Sequence, residues 1–164
     1  MAVIRIKHMN EIDRLITNVG DCFDGKPWYG TSIMTIMDKV SYSQVNVRPE
    51  GFSKSIAGLL RHMIAWRVFT IKKLRGMADF KIDPESAANW DSSNVSEKEW
   101  NGLLKLLKKT QDALLGVFET LESENFTEGV PGSIYKKDYL IRGIIQHDVY
   151  HLGQIAVLKD IIKS

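Results

Sequence analysis

Residues 140–158 read LIRGIIQHDVYHLGQIAVL. At helical spacing, Leu140, Ile144, His147, His151, Ile155 and Leu158 follow one another at steps of four, three, four, four and three. Those steps place all six on one stripe of a helix. Two imidazoles therefore point where the aliphatic side chains point, towards a packed interior. Polar rings in a dry interior need partners, and a shared cation supplies them.

The same periodicity extends along most of the chain. Lys7 to Phe23 carries Ile12, Leu15, Ile16 and Val19 at three- and four-residue intervals, the pattern of an amphipathic helix. Asp24-Gly25-Lys26-Pro27 breaks it. Thr31 to Val40 reads as a shorter helix. Ser53 or Ser55 is placed to cap the next one, which runs to about Gly76. Residues 77–95 carry Pro84 and clusters of Asp, Asn and Ser, and read as a long irregular crossover or lid. Ser96-Glu97-Lys98-Glu99 is a capping box opening a helix to about Ser123. After a break at Gly129-Val130-Pro131-Gly132, the last helix spans about Lys136 to Ile162. No segment alternates as a strand does. Residues 1–164 are thus expected to form one all-α domain, a four-helix bundle with an extra short helix and a long crossover connection.

Composition removes several functional classes. The chain has 164 residues, 44% hydrophobic and 26% charged, a normal globular balance. With 22 Lys and Arg against 20 Asp and Glu, the net charge of +2 argues against nucleic acid as the main partner. The single Cys22 excludes an internal disulfide framework and a cysteine-rich zinc site. No apolar run is long enough for a membrane span or a signal-peptide core, so no membrane role is expected and the expected compartment is cytoplasmic.

Two further histidines complete the set. His62 lies on the stripe Leu59, His62, Trp66 and Phe69, and so faces inward from a different helix. His8, beside Lys7, is expected to face solvent. His147-Asp148-Val149-Tyr150-His151 also has the spacing of the H-E-x-x-H zinc peptidases, with Asp in place of Glu. Asp is one methylene shorter and reaches a bound water poorly. Of the 13 residues after His151, none is His or Glu, so a third ligand must come from upstream. Both points favour a site built from His62, His147 and His151.

The chain resembles the DinB-like (DinB/YfiT-like) superfamily of metal-dependent enzymes. Pro27-Trp28-Tyr29-Gly30 is similar to the family's early Trp-Gly turn. The run from Ser55 to Trp66, SIAGLLRHMIAW, resembles its second-helix metal motif. Asn89-Trp90-Asp91 and Glu99-Trp100 match tryptophan positions around its third helix. QHDVYHLGQI at 146–155 resembles its signature. The resemblance implies one divalent metal held by His62, His147 and His151. It also implies a homodimer, and for some members transfer or isomerisation of low-molecular-weight thiol adducts. The family name reflects gene induction by DNA damage and implies no DNA binding.

Three imidazoles on a divalent ion leave coordination positions open, the pattern of catalytic rather than structural sites. Such a site acidifies water or takes the proton from a thiol. Hydrolysis and transfer of a small thiol to an electrophile therefore draw on the same ligands. A non-catalytic metal- or ligand-binding bundle, or a purely structural one, is the alternative. Zinc or nickel suits imidazole first, with manganese, iron or cobalt next. Asp148 and Gln154 are candidates to hold the outer imidazole nitrogens, Asp148 being otherwise a solvated charge. Tyr150 is a candidate to orient a small-molecule substrate, and Trp28 and Trp66 to wall an apolar pocket. Cys22, with no basic neighbour, reads as a small buried residue rather than a nucleophile. The sequence singles out no further catalytic residue.

Overall fold

The computed structural model describes residues 10–162. Among them are five α-helices: α1 (Glu11–Phe23), α2 (Ile33–Met37), α3 (Ile56–Leu74), α4 (Glu97–Phe118) and α5 (Lys137–Ile161). A 3₁₀ turn spans Tyr42–Gln44. The described residues form no strand, only an isolated bridge between Gly129 and Lys136. None of the described helices is long and apolar enough to cross a membrane.

Local chemistry sets most of the helix ends. Asn10 opens α1, accepting from the Asp13 backbone N–H at 2.8 Å, while Asp13 reaches back to the Asn10 N–H. The start expected at Lys7, like His8, lies outside the described residues. Ser55, not Ser53, caps α3 by accepting from Gly58 N–H at 3.2 Å. Ser96 and Glu99 form the expected box on α4. Each such cap contributes about 1 kcal/mol. Gly76, at φ +85°, supplies the left-handed conformation that turns the chain after α3.

Two helices are shorter than their periodicity suggests. The Ser32 hydroxyl bonds Thr35 Oγ1 rather than a backbone N–H, and after Met37 the bonds tighten to three-residue turns. The helix expected over 31–40 is therefore only Ile33–Met37. The α4 helix ends at Phe118 instead of near Ser123, because Thr120 and Leu121 N–H bond back three residues and the Thr120 hydroxyl takes the Val117 carbonyl.

The core shows the helix directions. Val95, just before α4, and Trp100, in its first turn, pack with Ile56 and Leu60, at the start of α3, and with Ile155 and Leu158, near the end of α5. At the other end, Ile71 of α3, Phe118 of α4, Ile12 of α1 and Ile141 of α5 share a second cluster. So α3 and α4 run parallel, and α1 and α5 run opposite to them. Parallel neighbours need a connection as long as the bundle, and residues 75–96 are that crossover. This connection is the one that brings loop residues to the histidines.

Candidate metal centre

Helix α3 supplies His62, and α5 supplies His147 and His151. One ring nitrogen from each lies within 4.8 Å of the others. His62 Nε2 and His147 Nε2 are 3.0 Å apart. The ring centroids of His147 and His151 are 4.4 Å apart, as the four-residue helical spacing dictates. All three side chains sit in the bundle, His62 and His151 buried and His147 half-buried.

Two of the rings are oriented by fixed acceptors. His62 Nδ1 donates to the Asn89 carbonyl oxygen at 2.8 Å. A carbonyl can only accept, so the proton sits on Nδ1 and Nε2 keeps its lone pair. His151 Nδ1 donates to Gln154 Oε1 at 2.7 Å, with the same result. The role considered for Gln154 is thus the one it has in the fold. His147 Nδ1 is buried without a hydrogen-bond partner. Zinc–imidazole bonds of 2.0–2.1 Å put two nitrogens on one tetrahedral ion about 3.3 Å apart. The 3.0 Å between His62 and His147 needs only a slight opening to accept one. This donor set fits a divalent ion, and these three histidines can hold one.

The crossover closes the site from above. Trp90 stacks on the His62 ring, centroids 3.7 Å apart and planes within 5°. Lys54 Nζ sits 4.1 Å above the Trp90 ring. Asn89 is locked from both sides: its Oδ1 accepts from Trp66 Nε1 at 3.0 Å and its Nδ2 donates to the Pro84 carbonyl at 2.7 Å. An acceptor held this way fixes the orientation of His62. Periodicity cannot reveal a backbone carbonyl 27 residues downstream. The Asn-Trp-Asp run inside the irregular segment was the available signal.

Asp148 departs from both expectations. It neither touches an imidazole nor lies in solvent. It is buried, and its Oδ2 accepts from Arg67 Nε at 2.9 Å and Nη2 at 2.8 Å. Arg67 Nη1 also donates to Gln111 Oε1 at 3.0 Å, and Gln111 Nε2 reaches the Val19 carbonyl. All four long helices are tied together one residue away from His147. Burial pushes the Asp148 carboxyl up, against the pull of Arg67. A guanidinium does not shed its proton, so the ionised carboxylate is the partner that leaves no buried charge uncompensated. The sequence signal was Arg67 itself, which with Arg61 is the sole charge in the apolar run 56–71.

The remaining candidates divide. Trp66 does wall an apolar cavity, one that His147 also lines. Trp28 is fully exposed and belongs to a different cavity of about 780 Å³, with Cys22, Tyr29 and Tyr150 among its walls and no histidine. Trp28 therefore walls a cavity away from the histidines, and the residues that cover the cluster come from the crossover. Tyr150 is exposed, its ring centre 4.8 Å from that of His151 with the planes at 72°. Cys22 is buried, and desolvation pushes its thiol up, away from a nucleophile's range.

All three imidazoles are held below their ordinary range. Desolvation is the largest cause for each. His147 is lowered to about 3, by burial first and then by His151, His62 and Arg67. Each is neutral at pH 7, the form that binds metal. A stability effect follows for metal-free protein. In the unfolded chain these imidazoles take protons near pH 6.5. Between that pH and about 3 the unfolded chain binds more protons than the fold, so stability rises with pH there. Metal-free protein is expected to lose stability as pH falls through this window. Denaturant melts at pH 7, 5.5 and 4.5 check it; a flat profile contradicts it.

The DinB superfamily sequence profile matches residues 32–155, which include α2, α3, α4, the crossover and all three histidines. No curated protein and no solved structure matches the chain. A profile match over three quarters of the sequence, with a helical bundle carrying three inward histidines, decides the assignment: the chain belongs to the DinB superfamily.

Proposed function

We propose that His62, His147 and His151 hold one divalent metal ion, zinc or nickel first, and that the protein is a metal-dependent enzyme transferring a low-molecular-weight thiol to an electrophile. The observation that carries the metal reading is the orientation of His62 and His151. Their Nδ1 protons are committed to Asn89 and Gln154, which leaves each Nε2 lone pair free in a cluster whose ligand atoms lie within 4.8 Å of one another. When bound, an ion on three imidazoles offers open positions at which water or a thiol loses its proton.

The protein's own groups favour the thiol. Water attack on an amide or ester profits from a neighbouring carboxylate base. Among the described residues no carboxylate joins the histidine cluster, and Asp148 is turned away onto Arg67. A thiolate needs no such base. In the transfer, the sulfur forms a bond to the electrophilic carbon. The thiol proton goes to solvent, and any leaving group departs with its electron pair. The superfamily resemblance, which for some members implies chemistry on low-molecular-weight thiol adducts, supports the same reading. His62 stays aligned by Asn89 and Trp90, and the crossover limits water on that side.

The test is adduct formation with a panel of small thiols and electrophilic acceptors. It uses metal-loaded protein, metal-stripped protein and His147→Ala. We expect thiol consumption with loaded wild type alone. Metal-dependent ester or amide hydrolysis without thiol consumption would replace the transferase with a hydrolase. Neither reaction, with metal bound, would favour a non-catalytic binding role.

A further inference from the structure

A second feature touches the histidine cluster at His147. His147 lines a cavity of about 180 Å³ whose other walls include Trp66, Phe69, Tyr135, Tyr139 and Gly143. The Tyr135 and Tyr139 rings stack with centroids 5.3 Å apart, and both are partly exposed, so they form the mouth. Trp66 forms the inner wall, its ring centre 5.1 Å from that of Phe69 and 5.8 Å from that of His147.

Gly143 keeps this space open. It sits one turn before His147 on α5, on the same face. Glycine weakens a helix interior. No close backbone approach requires it here, because a Cβ built at Gly143 meets no atom within 4 Å. Of the other helical glycines with that freedom, 102, 116 and 153 are exposed, and Gly20 of α1 is half-buried but does not line this cavity. Gly143 is half-buried, and the room it leaves belongs to the cavity beside His147.

Resting on the metal reading above, we propose that this cavity binds a neutral aromatic group of the substrate and that Gly143 sets its size. No charged side chain lines it, so an ionic group entering it would be left unpaired. Ring faces and edges on its walls suit a flat ring. An apolar cavity of about 150 Å³ takes a benzene molecule. The 180 Å³ here suits one ring with a small substituent. Aromatic walls also attract cations, but a divalent ion on His147 would repel one.

The test uses benzyl alcohol as the neutral probe and benzyltrimethylammonium as the cationic one. Binding is followed by ligand-observed NMR on metal-free and on zinc-loaded protein. We expect saturable benzyl alcohol binding in both forms, and preference over the cation in the zinc-loaded form. Gly143→Leu should weaken benzyl alcohol at least tenfold while keeping zinc content and melting temperature at or above wild type. Gly143→Ala, the milder variant, should weaken it two- to threefold. Unchanged binding in either folded variant would overturn the proposal, as would no saturable binding to wild type or tighter binding of the cation. Because the metal-free arm needs no ion, failure to load zinc would count against the metal reading and leave this result standing.

Discussion

Replacing His151 with alanine is expected to lower metal affinity about 100-fold or more and leave well below one ion per chain after gel filtration. Removing a group that merely orients a ligand costs 10- to 100-fold, and removing the ligand itself costs at least the upper end. His151 is one of only two rings whose Nδ1 is already committed, so its loss removes a preorganised nitrogen. Metal analysis of protein purified without a histidine tag measures the occupancy, and competition with a chromophoric chelator measures the affinity. Gln154→Leu should show the smaller loss, because the ring stays but its acceptor goes. Full occupancy in His62→Ala would remove His62 from the site and point to a carboxylate or to His8 instead. Stripping the metal from wild type should lower its melting temperature, since an ion that binds only the fold stabilises it by mass action.

The second large effect belongs to a residue outside the site. Arg67→Met is expected to destabilise the protein by about 3–5 kcal/mol, because it strands the buried Asp148 carboxylate. Arg67 is 1% exposed and Asp148 4%, so water cannot reach in to solvate the remaining charge. One Asp148 oxygen already lacks a partner, so the carboxylate has little in reserve. A loss of this size lowers the melting temperature by roughly 10 °C in a chain of this length. Adding Asp148→Leu to Arg67→Met should restore much of the loss, since a well-packed apolar pair often matches a buried ion pair. Urea melts of the two single variants and the double variant measure the coupling. Simple additivity would show that the pair does not act as a unit.

These two predictions draw on different kinds of information. The inward direction of His147 and His151 was legible in the sequence, because helix periodicity fixes which residues share a face. The Leu59, His62, Trp66 and Phe69 stripe made His62 legible for the same reason. The capping box at Ser96 was equally local, and the α4 start is where it was expected. Asp148 misleads for a complementary reason. Its position beside His147 says it points about 100° away, but not whether water or Arg67 lies there. His8 lies outside the described residues.

Periodic and local features were legible in the chain alone: four long helices, the turns between them, and three histidines on inward stripes. The tertiary structure alone decided which groups meet. It ran α3 and α4 parallel, so the crossover had to travel back along the bundle and carry Asn89 and Trp90 onto His62. It paired Arg67 with Asp148 across 81 residues, and left Trp28 at another cavity. Side-chain spacing encodes a direction about one helix axis. A partner on another element depends on how the helices pack and on the path of a connection that has no period to read.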